Sequence, residues 1–467
     1  MTQLTTPGIT AATRTRARNG RRRANAGDLL VVLSWTSVAV AISLYLAYGG
    51  AADFTSLSGI VSGIGIIGGL IGTDLILVML VLAARLPFID RTVGQDRAIA
   101  VHRSLGKPAL YFLLAHGVLL TLGYGISAGL DPVAETISLF STVADMPLAY
   151  LGLGLLIMVV VTSLVAVRRR FAYEAWHLIH LLSYAAVLVA VPHQLSAGGV
   201  LADGSWQRAY WIVLFVVAFG AIAWFRFAVP AIRTARHGLR VTGIEPVAPG
   251  VSSIHLSGRD LDRLQVAGGQ YAIWRFWSRG TWWHAHPISF SAMPTGTSAR
   301  ITVRELGRGT GRLGRIRAGT FVSIEGPYGV FTDAARTSPY LAVIAAGIGI
   351  TPARTLLEQS TLRHGEATVL LRGTDNDQRY LWNEVFALAA RDGSSVYTML
   401  GHRPRGASTW LSQEAAGRGV TIESVFPRIA ESDLFICGPQ PWADLVIRDA
   451  LAAGISRRQI HVEKFES

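Results

Sequence analysis

VHRSLGKPALYFLLAH (residues 101–116) and YEAWHLIHLLSYAAVLVAVPH (residues 173–193) decide how this chain folds. Each is a largely apolar stretch with a histidine near either end. His102 and His116 are fourteen residues apart, and His180 and His193 thirteen. At ~1.5 Å of rise per residue, each pair spans roughly 20 Å of helix, about two-thirds of a ~30 Å hydrocarbon core. Both gaps are close to a whole number of turns, so the two members of a pair share one helix face. Two such helices facing each other offer two stacked pairs of imidazoles. Haem iron takes two axial ligands and histidine is a common one, so the pattern reads as two haem sites, one above the other, across a membrane.

A histidine inside a membrane span is costly and needs a partner. For any one of the four, an interhelical hydrogen bond is the competing reading; four at matched spacings favour metal. His177 lies three residues before His180 on nearly the same face. It competes as ligand, but its gap of sixteen to His193 matches the first helix less well, which favours His180.

Outward from these stretches, six apolar runs are long enough to cross a membrane: about 29–49, 57–84, 105–127, 147–167, 173–195 and 208–228. The intervening loops sort by charge. The tail before the first run, Arg85 to Lys107, Arg168 to Arg170 and Arg226 to Arg240 are basic; the alternate loops hold Asp53, then Asp131, Glu135 and Asp145, then Asp203. All the basic loops fall on one side, which predicts a multi-pass protein of the cell membrane with both termini cytoplasmic. Runs three and five therefore run in the same direction. His102 is expected to meet His180 near the cytoplasmic face, and His116 to meet His193 near the outer face. The second run is glycine-rich (SGIGIIGGLIG), which suits close helix approach, and holds Asp74 within it, to which no role is given.

The whole chain has 467 residues, 51% of them hydrophobic, with a net charge of +13. The basic start (TRTRARNGRRR) reads as a disordered cytoplasmic tail obeying the charge rule, not as a nucleic-acid arm. The first run shows no convincing cleavage site and reads as a membrane helix, not a signal peptide. The single cysteine, Cys437, excludes a disulfide framework and a Cys-x-x-Cys-His attachment, so haem would be held by coordination and packing alone.

After residue 231 the character changes. Residues 240–335 read as short strands of a small β-barrel, and 339–467 alternate strand, turn and helix, as a parallel α/β sheet does. In the barrel, His286-Pro287-Ile288-Ser289-Phe290-Ser291 offers small hydroxyls and backbone to a flavin; an ordinary barrel strand is the alternative. Arg304 and the Gly307–Gly311 turn suit a pyrophosphate. In the sheet, Gly347-Ile348-Gly349-Ile350-Thr351-Pro352 follows an apolar strand and opens a helix, which suits a dinucleotide. Cys437 and Gly438, at a later strand end, lie on the same sheet edge. Arg372, ending the second strand, is a candidate for a 2′-phosphate, equally a surface arginine. Phe465 is a candidate to stack on flavin, equally a core aromatic.

In order along the chain, the paired histidines, YEAWHLIH with its Glu174 six before His180, HPISFSA, GIGITP and CGP resemble the transmembrane ferric reductase and NADPH oxidase superfamily, especially its bacterial oxidase-like members. The resemblance implies a six-helix transmembrane di-haem bundle, a ferredoxin-reductase-like FAD β-barrel and an α/β nucleotide-binding domain. The domains fall at 1–28 (basic tail), 29–230, 231–335 and 336–467. It implies two haems b, with His102 and His180 on the inner and His116 and His193 on the outer. FAD would lie on His286, Pro287, Ile288 and Ser289, and NADPH or NADH on Gly347, Gly349, Thr351, Pro352, Cys437 and Gly438. Phe465 would be the family's terminal aromatic. The implied activity is one-electron reduction of an external acceptor, oxygen to superoxide or a ferric chelate. Eukaryotic oxidases carry a further histidine one turn beyond the second histidine of the third span; here the residue is Leu120, which keeps the ferric reading open. A haem-bearing donor to an external partner protein is the alternative of another class.

Overall fold

The computed structural model describes residues 11–168, 170–171 and 173–465, and the side chains of all these but 11–24, 165, 166, 173, 174, 308, 464 and 465. The chain forms two compact units. One comprises Gly27–Ile89 and Asp96–Arg226; the other contains Asp90–Gln95 and Phe227–Ser467.

Six helices are long and apolar enough to cross a membrane: Asn25–Ala47, Leu57–Ala83, Gln95–Ala128, Met146–Ser163, Ala175–Ser196 and Trp206–His237. We call them spans 1 to 6. Three details differ from the sequence reading. The basic stretch expected to be disordered is helical from Ala11, continuous with span 1, as befits strong helix formers such as alanine and arginine. Span 3 begins at Gln95, not near 105, because QDRAIAVHRSL is helical without being apolar, and a hydrophobicity reading starts too late. Span 5 is not one helix. It breaks at Ala190, and a short helix, Val191–Ser196, restarts with Pro192 in its first turn, where the missing N–H costs nothing. Glu174 lies outside the described side chains.

The glycines of span 2 are a contact seam. A Cβ on Gly68 would stand 3.3 Å from the Phe112 carbonyl oxygen, and one on Gly72 3.2 Å from that of Ala109. Without side chains at these positions, spans 2 and 3 approach backbone to backbone. Spans 4 and 5 do the same at Gly152, whose Cβ would stand 2.8 Å from the Ala186 carbonyl. Asp74 is buried and accepts a hydrogen bond of 2.6 Å from Ser37 Oγ.

In the second unit, strands β1 (Arg240–Ala248), β2 (Val251–Ser257), β3 (Tyr271–Phe276), β4 (His286–Ala292), β5 (Ser298–Arg304) and β6 (Val322–Tyr328) form an antiparallel sheet ordered β1-β2-β5-β4-β3-β6. Val241 N donates to the Thr320 carbonyl (3.0 Å) and Val322 N to that of Leu239 (2.9 Å), which joins the two edges into a barrel. Its core holds Trp274, Phe276, Phe290 and Ile301, alternate residues on their strands. Then β7 (Tyr340–Ala346), β8 (Ala367–Arg372), β9 (Ser395–Met399), β10 (Ser432–Pro439) and β11 (Ile460–Phe465) form a parallel sheet ordered β11-β10-β7-β8-β9. The order reverses between β7 and β10, and such a switch point opens a crevice at the strand ends. Gly347 and Gly438 both lie there.

Glu384 ties barrel to sheet. It accepts from Arg300 of β5 at 2.9 and 2.7 Å and from Arg354 Nε at 2.5 Å. Burial works to raise its pKa, but the two arginines outweigh burial and hold the carboxyl below the usual carboxylate range.

Candidate functional site

Span 3 presents His102 and His116; span 5 presents His180 and, past its break, His193. The rings of His102 and His180 have centres 6.1 Å apart, and those of His116 and His193 6.4 Å. Two imidazoles on opposite sides of one metal, each with its nitrogen at about 2.0–2.1 Å and its ring centre roughly 1.1 Å further, have centres about 6.2 Å apart. Each pair is thus spaced for one ion between its rings. His177, the competing ligand, lies beside Trp176 at 6.4 Å between ring centres, whereas His180 is the ring that meets His102.

The tautomers follow from the neighbours. His102 Nδ1–H donates to the Met79 carbonyl (3.0 Å) and His116 Nδ1–H to the Gly65 carbonyl (2.9 Å), both on span 2. A donated Nδ1 proton leaves Nε2 as the lone-pair nitrogen, the atom a metal takes. Gly69 makes room for this: a Cβ there would stand 2.5 Å from His116 Nδ1. His180 is held differently. Its Nδ1 lies 3.3 Å from Ser163 Oγ, which also accepts from Trp176 Nε1 at 3.3 Å. Trp176 stacks on the His180 ring, and the Arg168 guanidinium lies 4.6 Å from the Trp176 ring centre. His193 Nδ1 is buried with no hydrogen-bond partner among the described residues.

On β4, His286 is buried and its Nε2 has no partner among the described residues. A Cβ on Gly309 would stand 3.5 Å from its Cε1, so the ring abuts the glycine turn. Burial, then His284 and Arg275, hold this imidazole down to about 4, so it is neutral at pH 7. An orphaned ring nitrogen beside a glycine turn fits a phosphate or flavin hydrogen bond. Pro287 is exposed, Ile288 half-buried and Ser289 buried; the Ile288 carbonyl accepts from Trp274 Nε1 at 2.9 Å. Ser291 departs from expectation. It is fully buried, its hydroxyl accepts from Thr302 Oγ1 at 2.8 Å, and Thr302 bonds Ser253 at 2.9 Å. This hydroxyl chain links β4, β5 and β2, so Ser291 serves the barrel.

At the sheet edge, Gly347 has a left-handed φ of 55°, and the Gly347–Gly349 turn opens helix Ile350–Gln359. The other expected residues pack. A Cβ on Gly349 would collide with the Cys437 carbonyl, and one on Gly438 with Trp442, at 2.8 Å. Pro352 is buried, and Thr351 Oγ1 donates to the Ile348 carbonyl at 3.0 Å, so this hydroxyl caps its own turn. Cys437 is fully buried, and burial, then Glu463, push its thiol well up, so it is an inert packing residue. Arg372 is not a surface arginine. Its Nη atoms donate to the carbonyls of Gly373 and Gly401, the latter at 2.5 Å, closing the ends of β8 and β9. Burial, then Arg403, lower its pKa. A guanidinium so engaged has no fork to offer a 2′-phosphate. Phe465 pairs with Pro439 through its backbone; its side chain lies outside the described residues.

Residues 68–191 match the family described as ferric reductase like transmembrane component. Apart from Asp90–Gln95, that match lies within the membrane unit and covers part of it. The chain is also 27% identical over 209 residues to a flavohemoprotein of Xylella fastidiosa (strain 9a5c), covering 42% of this chain and 50% of that one. It is 31% identical over 220 residues to the ferredoxin reductase component of 3-ketosteroid-9-alpha-monooxygenase of Mycolicibacterium smegmatis, covering 44% and 57%. The chain spans about half the length of the curated relatives it matches. Among solved structures, the FAD/NAD-binding domain of nitric oxide dioxygenase from Vibrio cholerae matches at 20% identity and a TM-score of 0.40, over 49% of this chain and 99% of that domain.

Several neighbours of the site escape a sequence reading. Ser163 and Trp176 belong to no spacing rule. Gly69 is one glycine among many in its run. Tyr380, on the loop after β8, is 6% exposed and its hydroxyl has no partner among the described residues.

Proposed function

We propose that this chain is a transmembrane flavocytochrome of the cell membrane. It takes two electrons from NADPH or NADH in the cytoplasm, through FAD and two b-type haems, and delivers them singly to an external acceptor. The acceptor is oxygen, with superoxide as product. Each reduced nucleotide gives up a hydride and a proton stays inside; two oxygen molecules take one electron each. The domains are the basic tail 1–28, the di-haem region 29–230, the FAD barrel 231–335 and the NAD(P)-binding domain 336–467. Both termini lie in the cytoplasm, as the loop charges require.

The observation that carries this reading is the pair of imidazole couples at 6.1 and 6.4 Å. Among the described residues, no group of three or more His, Cys, Asp or Glu side chains could hold an ion. Two ligands suit an iron whose other four come from a porphyrin, and do not suit a bare four-coordinate ion. When bound, flavin exchanges a hydride for single electrons and haem iron carries them one at a time. The protein's part is placement. Met79 and Gly65 carbonyls orient His102 and His116, and Ser163 and Trp176 orient His180. His102 with His180, and His116 with His193, would each hold one haem, which would supply one-electron transfer to the acceptor. His286, Pro287, Ile288 and Ser289 with the Gly307–Gly311 turn are the flavin surface. Gly347, backed by Gly349, Thr351, Pro352, Cys437 and Gly438, is the floor of the nucleotide site. An inside-negative potential favours outward electron movement by about 2.3 kcal/mol per 100 mV.

A ferric chelate is the second reading. Leu120 favours it: this apolar residue packs 3.2 Å from the Cβ position of Gly65, where the oxidases carry a polar group. A pyridine haemochrome assay is expected to give two haems b per chain. Cytochrome c reduction with NADPH, sensitive to superoxide dismutase, is expected for oxygen. Dismutase-insensitive ferric reduction would move the assignment to iron, and no turnover despite bound FAD and haem would move it to a partner protein.

A further inference from the structure

Gly347 leaves an opening that three polar groups surround. A Cβ there would stand 3.7 Å from Arg304 Nη1, 3.8 Å from Tyr380 Oη and 3.9 Å from Gln378 Oε1. Arg304 comes from the barrel strand β5; Tyr380 and Gln378 come from the loop after β8. The opening lies at the switch point of the parallel sheet, at the start of the ten-residue helix Ile350–Gln359. Its first amide groups point toward this end, with the positive end of the helix dipole.

Tyr380 is the unexplained member. The residue is 94% buried, yet its hydroxyl has no partner among the described residues. A buried hydroxyl left unpaired is costly, so one facing a ligand site is expected to be completed by the ligand. Burial pushes this hydroxyl up to about 12, so it is a proton donor at every working pH. Gln378 is fixed: its Nε2 donates to Thr374 Oγ1 (2.6 Å) and its Oε1 accepts from Thr374 N (3.2 Å). Of the two acids of this loop, Asp375 and Asp377, the first accepts from Thr374 Oγ1 at 3.0 Å. A guanidinium, a phenol donor and a helix start around one glycine suit a diphosphate.

We infer that the Tyr380 hydroxyl donates a hydrogen bond to the diphosphate of the nicotinamide dinucleotide, with Arg304 reaching across from the barrel to the same group. The inference rests on the proposed nucleotide site and adds to it a residue outside the glycine turns. It makes the site a joint product of barrel and sheet, held in register by Arg300, Arg354 and Glu384.

The test is Tyr380→Phe in the full-length holoprotein, which removes one oxygen and keeps the ring. Dissociation constants for NADP+ and NAD+ are measured by calorimetry, and KM for NADPH and for reduced nicotinamide mononucleotide by steady-state turnover. Dinucleotide binding and KM are expected to weaken about tenfold, the value of a donor to a charged acceptor. KM for the mononucleotide, kcat and FAD content are expected to stay within twofold. Unchanged dinucleotide binding, or equal weakening for the mononucleotide, would overturn the inference and leave the proposed function intact. A wild-type chain that binds no dinucleotide would overturn both.

Discussion

The two ends of the membrane unit solve one problem in different ways. On span 3, both histidines are aimed by backbone: His102 by the Met79 carbonyl and His116 by that of Gly65. On span 5 the solutions diverge. His180 is set by side chains, with Ser163 at its Nδ1 and Trp176 stacked on its ring. His193 sits beyond a helix break and its Nδ1 has no partner among the described residues. A backbone acceptor survives any substitution of its own side chain. The aim of the span 3 rings therefore rests on no partner side chain, whereas that of His180 does.

That contrast can be broken most drastically at the rings. His116→Ala or His193→Ala is expected to remove one of two haems per chain in a pyridine haemochrome assay. His177→Ala is expected to leave both, and a loss there would reverse the assignment of His180. Next in size is Gly69→Val. Its branched side chain must displace the His116 ring, so outer haem is expected to fall by more than half while the inner is retained; Gly69→Ala should do less.

Outside the membrane, the Glu384 latch gives a pH effect. Its carboxyl is held below the usual range when folded, so its contribution is fully present above the unfolded value of about 4.3 and is lost as pH falls through the folded one. Thermal unfolding of the soluble part is expected to move down below about pH 4, and Glu384→Gln to flatten that limb. Smallest is Ser163→Ala. A hydrogen bond of 3.3 Å is long, so haem content is expected to hold and only the inner midpoint potential to shift, in a redox titration followed optically.

What could be read from the string was what depends on period. The shared direction of spans 3 and 5 paired His102 with His180 and His116 with His193, and the gap to His193 favoured His180 over His177, which lies on nearly the same face. All five strands of the parallel sheet were legible, three of them, β7, β8 and β10, as apolar runs ended by glycine. Local competition was not. Ser291, Thr351 and Arg372 have the right chemistry for ligands, but each finds a nearer partner in Thr302, the Ile348 carbonyl or the ends of β8 and β9. Nothing in residue type tells whether a hydroxyl or guanidinium is already engaged. Tyr380 fails in the opposite sense: an ordinary loop tyrosine by sequence becomes notable only once its hydroxyl is seen to be buried.

The glycine seam of span 2 carries a consequence for how such a protein can diverge. Gly68 and Gly72 face carbonyls of span 3, and Gly65 and Gly69 face Leu119, Leu120 and the His116 ring, so that wall leaves little room for a new chemical group beside this ring. If the proposed outer haem is bound, retuning its potential falls to the facing wall, where His193 Nδ1 has no partner among the described residues.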